Sequence, residues 1–130
     1  MKHIVFLFLF TMQPAFAAFY IWEDECDKNQ LAMNICADEQ DKFYDKHLNK
    51  LYKEQMNHLK DKGEAKTNLR KAQRAWILFR NQDCNYMAGD RENSGSIWAL
   101  TYNKCLTKRT RTRIQELESY IECRDNGCPE

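Results

Sequence analysis

From about residue 29 onward, apolar residues recur every three or four positions, which is the period of one helical face. Tyr44, Leu48, Leu51, Tyr52, Gln55 and Leu59 line one such face, and the pattern predicts a first long helix from about Asn29 to Lys62, with a bend allowed near Cys36. Asp61-Lys62-Gly63-Glu64 then reads as a short connection. A second helix is predicted from about Ala65 to Met87, with Leu69, Ala72, Trp76, Ile77 and Phe79 as its buried stripe. Ala88 to Gly95 is polar and holds two glycines, so it is expected to be an exposed turn. A third helix follows from about Ser96 to Cys123, carrying Ile97, Leu100, Leu106, Ile114, Leu117 and Ile121. β-branched alternation is absent, and no proline falls between Pro14 and Pro129. Short connections make neighbouring helices antiparallel. The expected fold is all-α: a small antiparallel three-helix bundle with room for a short extra N-terminal helix.

Cysteine placement sharpens this expectation. Cys84 and Cys105 lie symmetrically about Ser94-Gly95, so a helical hairpin folded there brings them face to face. The same register sets Leu69 near Tyr120, Ala72 near Leu117, Met87 near Tyr102, and Trp76 near Arg113, a cation–π arrangement. Six cysteines allow fifteen connectivities, and spacing alone does not choose among them. Cys26 with Cys36 and Cys123 with Cys128 are the local pairings. The rival joins the N-terminal pair to the C-terminal pair across the bundle.

The first residues indicate compartment. Lys2, the apolar run Ile4 to Phe10, and Ala15-Phe16-Ala17 read as a secretory signal over 1–17, leaving residues 18–130 as the mature domain with a short cysteine-containing tail. A periplasmic or secreted location follows, with no stable membrane insertion once the signal is removed, and it favours disulfides. Removing Lys2 leaves 19 Lys and Arg against 19 Asp and Glu, a balance that gives no argument for nucleic acid. Charge is nevertheless uneven. Lys104, Lys108 and Arg111 share one face of helix three, while Arg109 and Arg113 lie on another. Pairing with Asp38, Asp41 and Asp45 of helix one is the expected fate of these bases, and contact with an anionic envelope polymer or acidic protein is the alternative.

Nothing in the chain assembles a catalytic or cofactor motif: there is no Gly-x-Ser-x-Gly, no His-Glu-x-x-His and no phosphate-cradling glycine loop. A metal is not expected either, because no Cys-x2-Cys occurs and the mature histidines are His47 and His58 alone. The chain therefore reads as a binding protein, not an enzyme, and one without a cofactor.

The run Gln73-Arg74-Ala75-Trp76-Ile77-Leu78-Phe79-Arg80-Asn81-Gln82-Asp83-Cys84 resembles the lysozyme-inhibitor-like domain named after LprI. Leu48-Asn49-Lys50-Leu51-Tyr52 is similar to that family's Leu-Asn-x-x-Tyr motif, and the order of the cysteines from Cys26 to Cys105 fits. Two departures stand out: Asn93-Ser94-Gly95-Ser96 replaces the family's adjacent glycines before serine, and Cys123/Cys128 is an addition. The resemblance implies an exported helical domain whose partner is a protein, a lysozyme or another envelope-attacking enzyme. A periplasmic immunity-type protein acting on a different toxin, and an envelope adaptor without inhibitory activity, are the competing expectations.

Two groups of residues are candidates for contact. Gln73, Trp76, Arg80 and Cys84 step along one face where helix three must pack, which favours a structural strip over a binding surface; Asn49 and Tyr52 are read in the same way. The turn is the stronger candidate, with a plain solvated turn as the reading it has to displace. A lysozyme cleft works with paired carboxylates, one of them protonated, and Arg91, Asn93, Ser94 and Ser96 are hydrogen-bond donors on an exposed loop. Asp90 and Glu92 count against it through like-charge repulsion.

Overall fold

A computed structural model describes residues 25–128. Three helices follow one another: α1 (Gln30–His58), α2 (Gly63–Ala88) and α3 (Ile97–Glu122), with a 3-10 turn at Cys123–Asp125 and no strand among the described residues. The signal segment 1–17 lies outside the described residues. Glu25 and Cys26 are helical and a turn over 27–29 feeds α1; the remainder of the expected short N-terminal helix lies outside the described residues.

Local chemistry sets the helix ends. Asn29 has an extended backbone, and its side-chain oxygen accepts the Ala32 N–H at 2.9 Å, so one orphan donor of the first turn is satisfied. The first helix stops at His58, four residues earlier than expected. The Leu59 N–H bonds back to Gln55 and Asn57 while its side chain turns inward to 6 % exposure, which ends the helix before Gly63 is reached. Gly63 instead opens α2, where its carbonyl accepts the Thr67 hydroxyl at 2.8 Å. Gly89 closes α2 with φ 76° and ψ −163°, a conformation open essentially to glycine alone.

The core is narrow. Leu48 and Leu51 of α1 meet Ile114 and Leu117 of α3, and Tyr44, Tyr52, Leu69, Trp76 and Ile121 pack around them. α3 is the central helix: its closest packing is with α1 and then with α2, so long side chains of α2 bridge the wider α1–α2 gap. The apolar faces expected for α1 and α3 match this arrangement, except that Ile97 is exposed. The face expected for α2 does not. Leu69 and Trp76 turn inward, but Ala72, Ile77 and Phe79 are exposed. The strip that turns inward is Leu69, Gln73, Trp76, Arg80, Cys84 and Ala88, at helical spacing but with two polar members.

Arginines join the helices through those polar positions. Arg80 Nη1 donates to Asp45 of α1 at 3.0 Å and to Thr110 of α3 at 3.1 Å, with its guanidinium 5.0 Å from the Trp76 ring. Arg113, 6 % exposed, donates to Gln73 at 3.0 Å and also binds Glu116, and it lies 6.0 Å from the Trp76 ring as the hairpin register requires. Arg124 donates to the buried Gln55 of α1 at 2.9 and 2.6 Å. Gln55, Gln73 and Thr110 are thereby each matched by a charge-assisted donor, without which their desolvation would be uncompensated.

Disulfides join Cys26 to Cys36, Cys84 to Cys105, and Cys123 to Cys128, with α-carbons 5.8, 5.5 and 5.4 Å apart. The rival pairing between the two ends of the chain fails on topology. An up-down-up bundle puts the start of α1 and the end of α3 at opposite poles, and 26 residues of α3 separate them by about 39 Å.

Candidate functional site: the loop between the second and third helices

Residues 89–96 cap one pole of the bundle, and the structure ties them down from several sides. The Asp90 carboxylate accepts the Glu92 N–H at 3.0 Å and the Asn93 side-chain amide, and the Asp90 carbonyl accepts the Ser94 N–H at 2.9 Å. The Ser94 hydroxyl donates to the Ala88 carbonyl at 3.5 Å. From α1, the Asn34 amide donates to the Ser96 carbonyl at 3.0 Å. Cys84–Cys105 clamps the helices below the loop, and Cys26–Cys36 braces the neighbouring start of α1.

The four donors expected on this loop thus divide. Asn93 and Ser94 spend their side chains on the loop itself. Arg91 and Ser96 are exposed. The Arg91 guanidinium lies over the Trp98 ring, 5.0 Å from its centroid. Trp98 is the residue that sequence reasoning missed. Its indole N–H donates to the Gly89 carbonyl at 3.0 Å, and its ring stacks on Tyr102 with centroids 4.6 Å apart. Trp98 and Tyr102 stand at i and i+4, so their pairing was available from the helical period alone. Stacking on the face of the guanidinium leaves its N–H edge free to donate. Asp90, which argued against binding acids, is occupied inside the loop.

Apolar surface gathers at the same pole. Of the ten large hydrophobic side chains exposed among the described residues, Leu31, Ile35, Tyr86, Met87 and Ile97 fall within two turns of the helix ends that meet there. An exposed arginine amid apolar and aromatic side chains has the composition of a protein-binding surface.

The other candidates are placed differently. Gln73, Trp76, Arg80 and Cys84 point into the bundle, with Gln73 4 % and Cys84 0 % exposed. Asn49 donates to both the carbonyl and the carboxylate of Asp45 at 2.9 Å, which orients that carboxylate for Arg80. Tyr52 packs on the core. The basic residues of α3 do not pair with α1 as expected. Asp38 binds Lys42 and Asp45 binds Arg80, whereas Arg109 goes to Asp83 of α2 at 2.7 Å. Asp83 also stands beside Cys84 and Cys105, but both sulfurs are bonded to each other. At the far pole a pocket of about 590 Å³ opens between Leu59, Leu69, Ala72, Tyr120 and the Cys123–Cys128 ring. Among the described residues no helix is long and apolar enough to cross a membrane.

The class that fold and site define is a helical, disulfide-braced domain with a hydrogen-bonded polar loop at one pole. The chain matches the family described as "Lysozyme inhibitor LprI" over residues 23–117, and it belongs to that family. It is also 34 % identical over 117 residues to the "Uncharacterized protein R02472" of Rhizobium meliloti (strain 1021), covering 80 % of this chain and 84 % of that one. No solved structure matches it.

Proposed function

We propose that this protein is an exported inhibitor of a lysozyme-type peptidoglycan hydrolase, with the 89–96 loop as its contact and Arg91 as the group presented to the catalytic carboxylates. Membership of the LprI family over residues 23–117 is the observation that carries the reading. The loop supports it physically. Its own hydrogen bonds, the Asn34 tether and the two flanking disulfides hold it in one shape, which lowers the ordering cost of association. Trp98 holds Arg91 at the tip, and the exposed apolar residues around it supply area that a partner would cover. The inhibitor does no chemistry: occupying the cleft excludes the glycan.

Titrating a lysozyme with the oxidised protein tests this directly. Activity should fall to the background at stoichiometric excess, and Arg91→Ala should weaken inhibition by about 2 kcal/mol, or roughly thirtyfold, as loss of an interface anchor does. Asn93→Ala should act more mildly, through loss of loop order. Undiminished lysozyme activity at excess removes the function, while inhibition insensitive to Arg91→Ala removes the loop as the contact.

A further inference from the structure

On the flank of the bundle, away from the loop, α1 and α3 leave a second polar pocket of about 410 Å³ lined by Gln40, Lys104, Thr107, Lys108, Arg111 and Gln115 among others. None of its lining residues is acidic. Lys104, Lys108 and Arg111 stand at i, i+4 and i+7, so three like charges lie along one side of α3 over two turns, a placement that is unfavourable without a counterion. The other bases that α3 contributes to the bundle are committed, Arg109 to Asp83 and Arg113 to Gln73 and Glu116. These three have no acidic partner among the described residues.

A second observation points to the same place. Thr107 is only 6 % exposed, it lines this pocket, and its hydroxyl Oγ1 has no hydrogen-bond partner. Buried hydroxyls in folded proteins are ordinarily satisfied. Arg111 is held in position as well, with its guanidinium 5.4 Å from the Tyr44 ring of α1, which leaves its edge to donate. Two ammonium groups, a guanidinium edge and a hydroxyl along one side of α3, with the Gln40 amide coming from α1, suit a tetrahedral oxyanion, which offers more acceptor oxygens than a planar carboxylate.

We infer that this groove is a binding site for a phosphate group, carried by a soluble phosphorylated molecule or by a lipid headgroup. The site is independent of the loop and of the inhibitory reading. Its base is the buried Thr107, its walls are Lys104, Lys108 and Arg111, and Gln40 contributes an amide from α1.

The test is a nuclear magnetic resonance titration of the oxidised protein with pyrophosphate at constant ionic strength, using chloride as the reference salt. Saturable shifts centred on Gln40, Thr107, Lys108 and Arg111 are expected. Lys108→Gln and Arg111→Gln should each weaken binding by about tenfold, and the near-isosteric Thr107→Val by about threefold. Lys71→Gln, on an exposed part of α2, should leave binding unchanged. Co-sedimentation with phosphatidic acid vesicles that pyrophosphate reverses would place the phosphate on a lipid. Pyrophosphate binding without sedimentation would place it on a soluble molecule. Shifts reproduced by chloride, shifts scattered over all basic residues, or affinity indifferent to both Lys108→Gln and Arg111→Gln would overturn the assignment.

Discussion

Replacing Cys84 and Cys105 together by alanine probes the hairpin on which both the fold and the proposed contact depend. The bridge closes a loop with a sequence separation of 21, and its α-carbons sit 5.5 Å apart, well inside the range a disulfide spans. In the chain-entropy treatment, closing a loop of that length restricts the unfolded chain by about 11 cal/mol/K, or about 3.3 kcal/mol at 25 °C. The same relation gives about 2.7 kcal/mol for Cys26–Cys36, with a separation of 10, and about 2 kcal/mol for Cys123–Cys128, with a separation of 5. Alanine at 84 avoids placing a hydroxyl at a position with 0 % exposure, so the change reports chiefly on the cross-link. For a domain of this size the loss corresponds to a fall in Tm of about 13–25 °C. Urea denaturation of the oxidised proteins should show the lower stability together with a larger m-value, because the released chain exposes more surface when unfolded. The double variant should also inhibit lysozyme less well under conditions where it remains folded, whereas removing Cys123–Cys128 at the far pole should leave inhibition intact. A loss below about 1 kcal/mol with an unchanged m-value would refute the loop-closure account.

Three further outcomes follow from the polar strip. Arg113→Met leaves the Gln73 side chain buried without its donor, so stability should fall by about 2–3 kcal/mol in urea denaturation, and adding Gln73→Leu should recover about 1 kcal/mol of it; strictly additive losses would show the two are not coupled. Arg80→Lys keeps the charge but not the planar group that bonds Asp45 and Thr110 while lying on Trp76, and it should cost about 1–2 kcal/mol by the same measurement. Asp41 has its pKa raised, first by burial and then by neighbouring Asp45 and Asp38, with Arg80 opposing, and its Oδ1 lacks a partner. The folded state therefore holds this proton more tightly than the unfolded chain, so the contribution of Asp41 is most favourable below the ordinary carboxylate pKa and is lost as pH rises through its raised value. Asp41→Asn should consequently gain stability relative to the native protein between pH 3 and pH 7, as followed by thermal melts; a constant difference across that range would exclude the titration.

How far the chain could be read depended on whether a core position was filled by the residue type that hydropathy expects there. The buried face of α1 was legible because Leu48 and Leu51 are apolar and buried, as is Leu59 just past its end. The hairpin register was legible because Cys84 and Cys105 are equidistant from the turn, and it anticipated Arg113 against Trp76. α2 misled because its outer face carries Ile77, Leu78 and Phe79 while its inner face carries Gln73 and Arg80, so a stripe drawn by hydropathy rotates away from the bundle. Arg91 in the loop was singled out, but Trp98, the surface it rests on, was not, because a tryptophan in the first turn of a helix reads as core.

The mistaken face of α2 nevertheless contained its own correction. With Cys84 opposite Cys105, mirror positions about the turn set Gln73 opposite Glu116, within one turn of Arg113, and Arg80 opposite Arg109, next to Thr110. Those are the neighbourhoods in which the structure makes its interhelical bonds, Arg113 to Gln73 and Arg80 to Thr110. A polar residue at a core position carries little hydropathy signal but a strong demand for a partner, since leaving it unmatched costs about 1–3 kcal/mol. Searching the register for those partners would have selected Gln73 and Arg80 over Ile77 and Phe79 as the inward residues. The α3 bases have two fates in the structure. Arg109 and Arg113 reach acceptors on α2, Asp83 and Gln73, and are consumed by the bundle, while Lys104, Lys108 and Arg111 line a groove to which α1 contributes Gln40 and no acid, and their charge is left for a ligand.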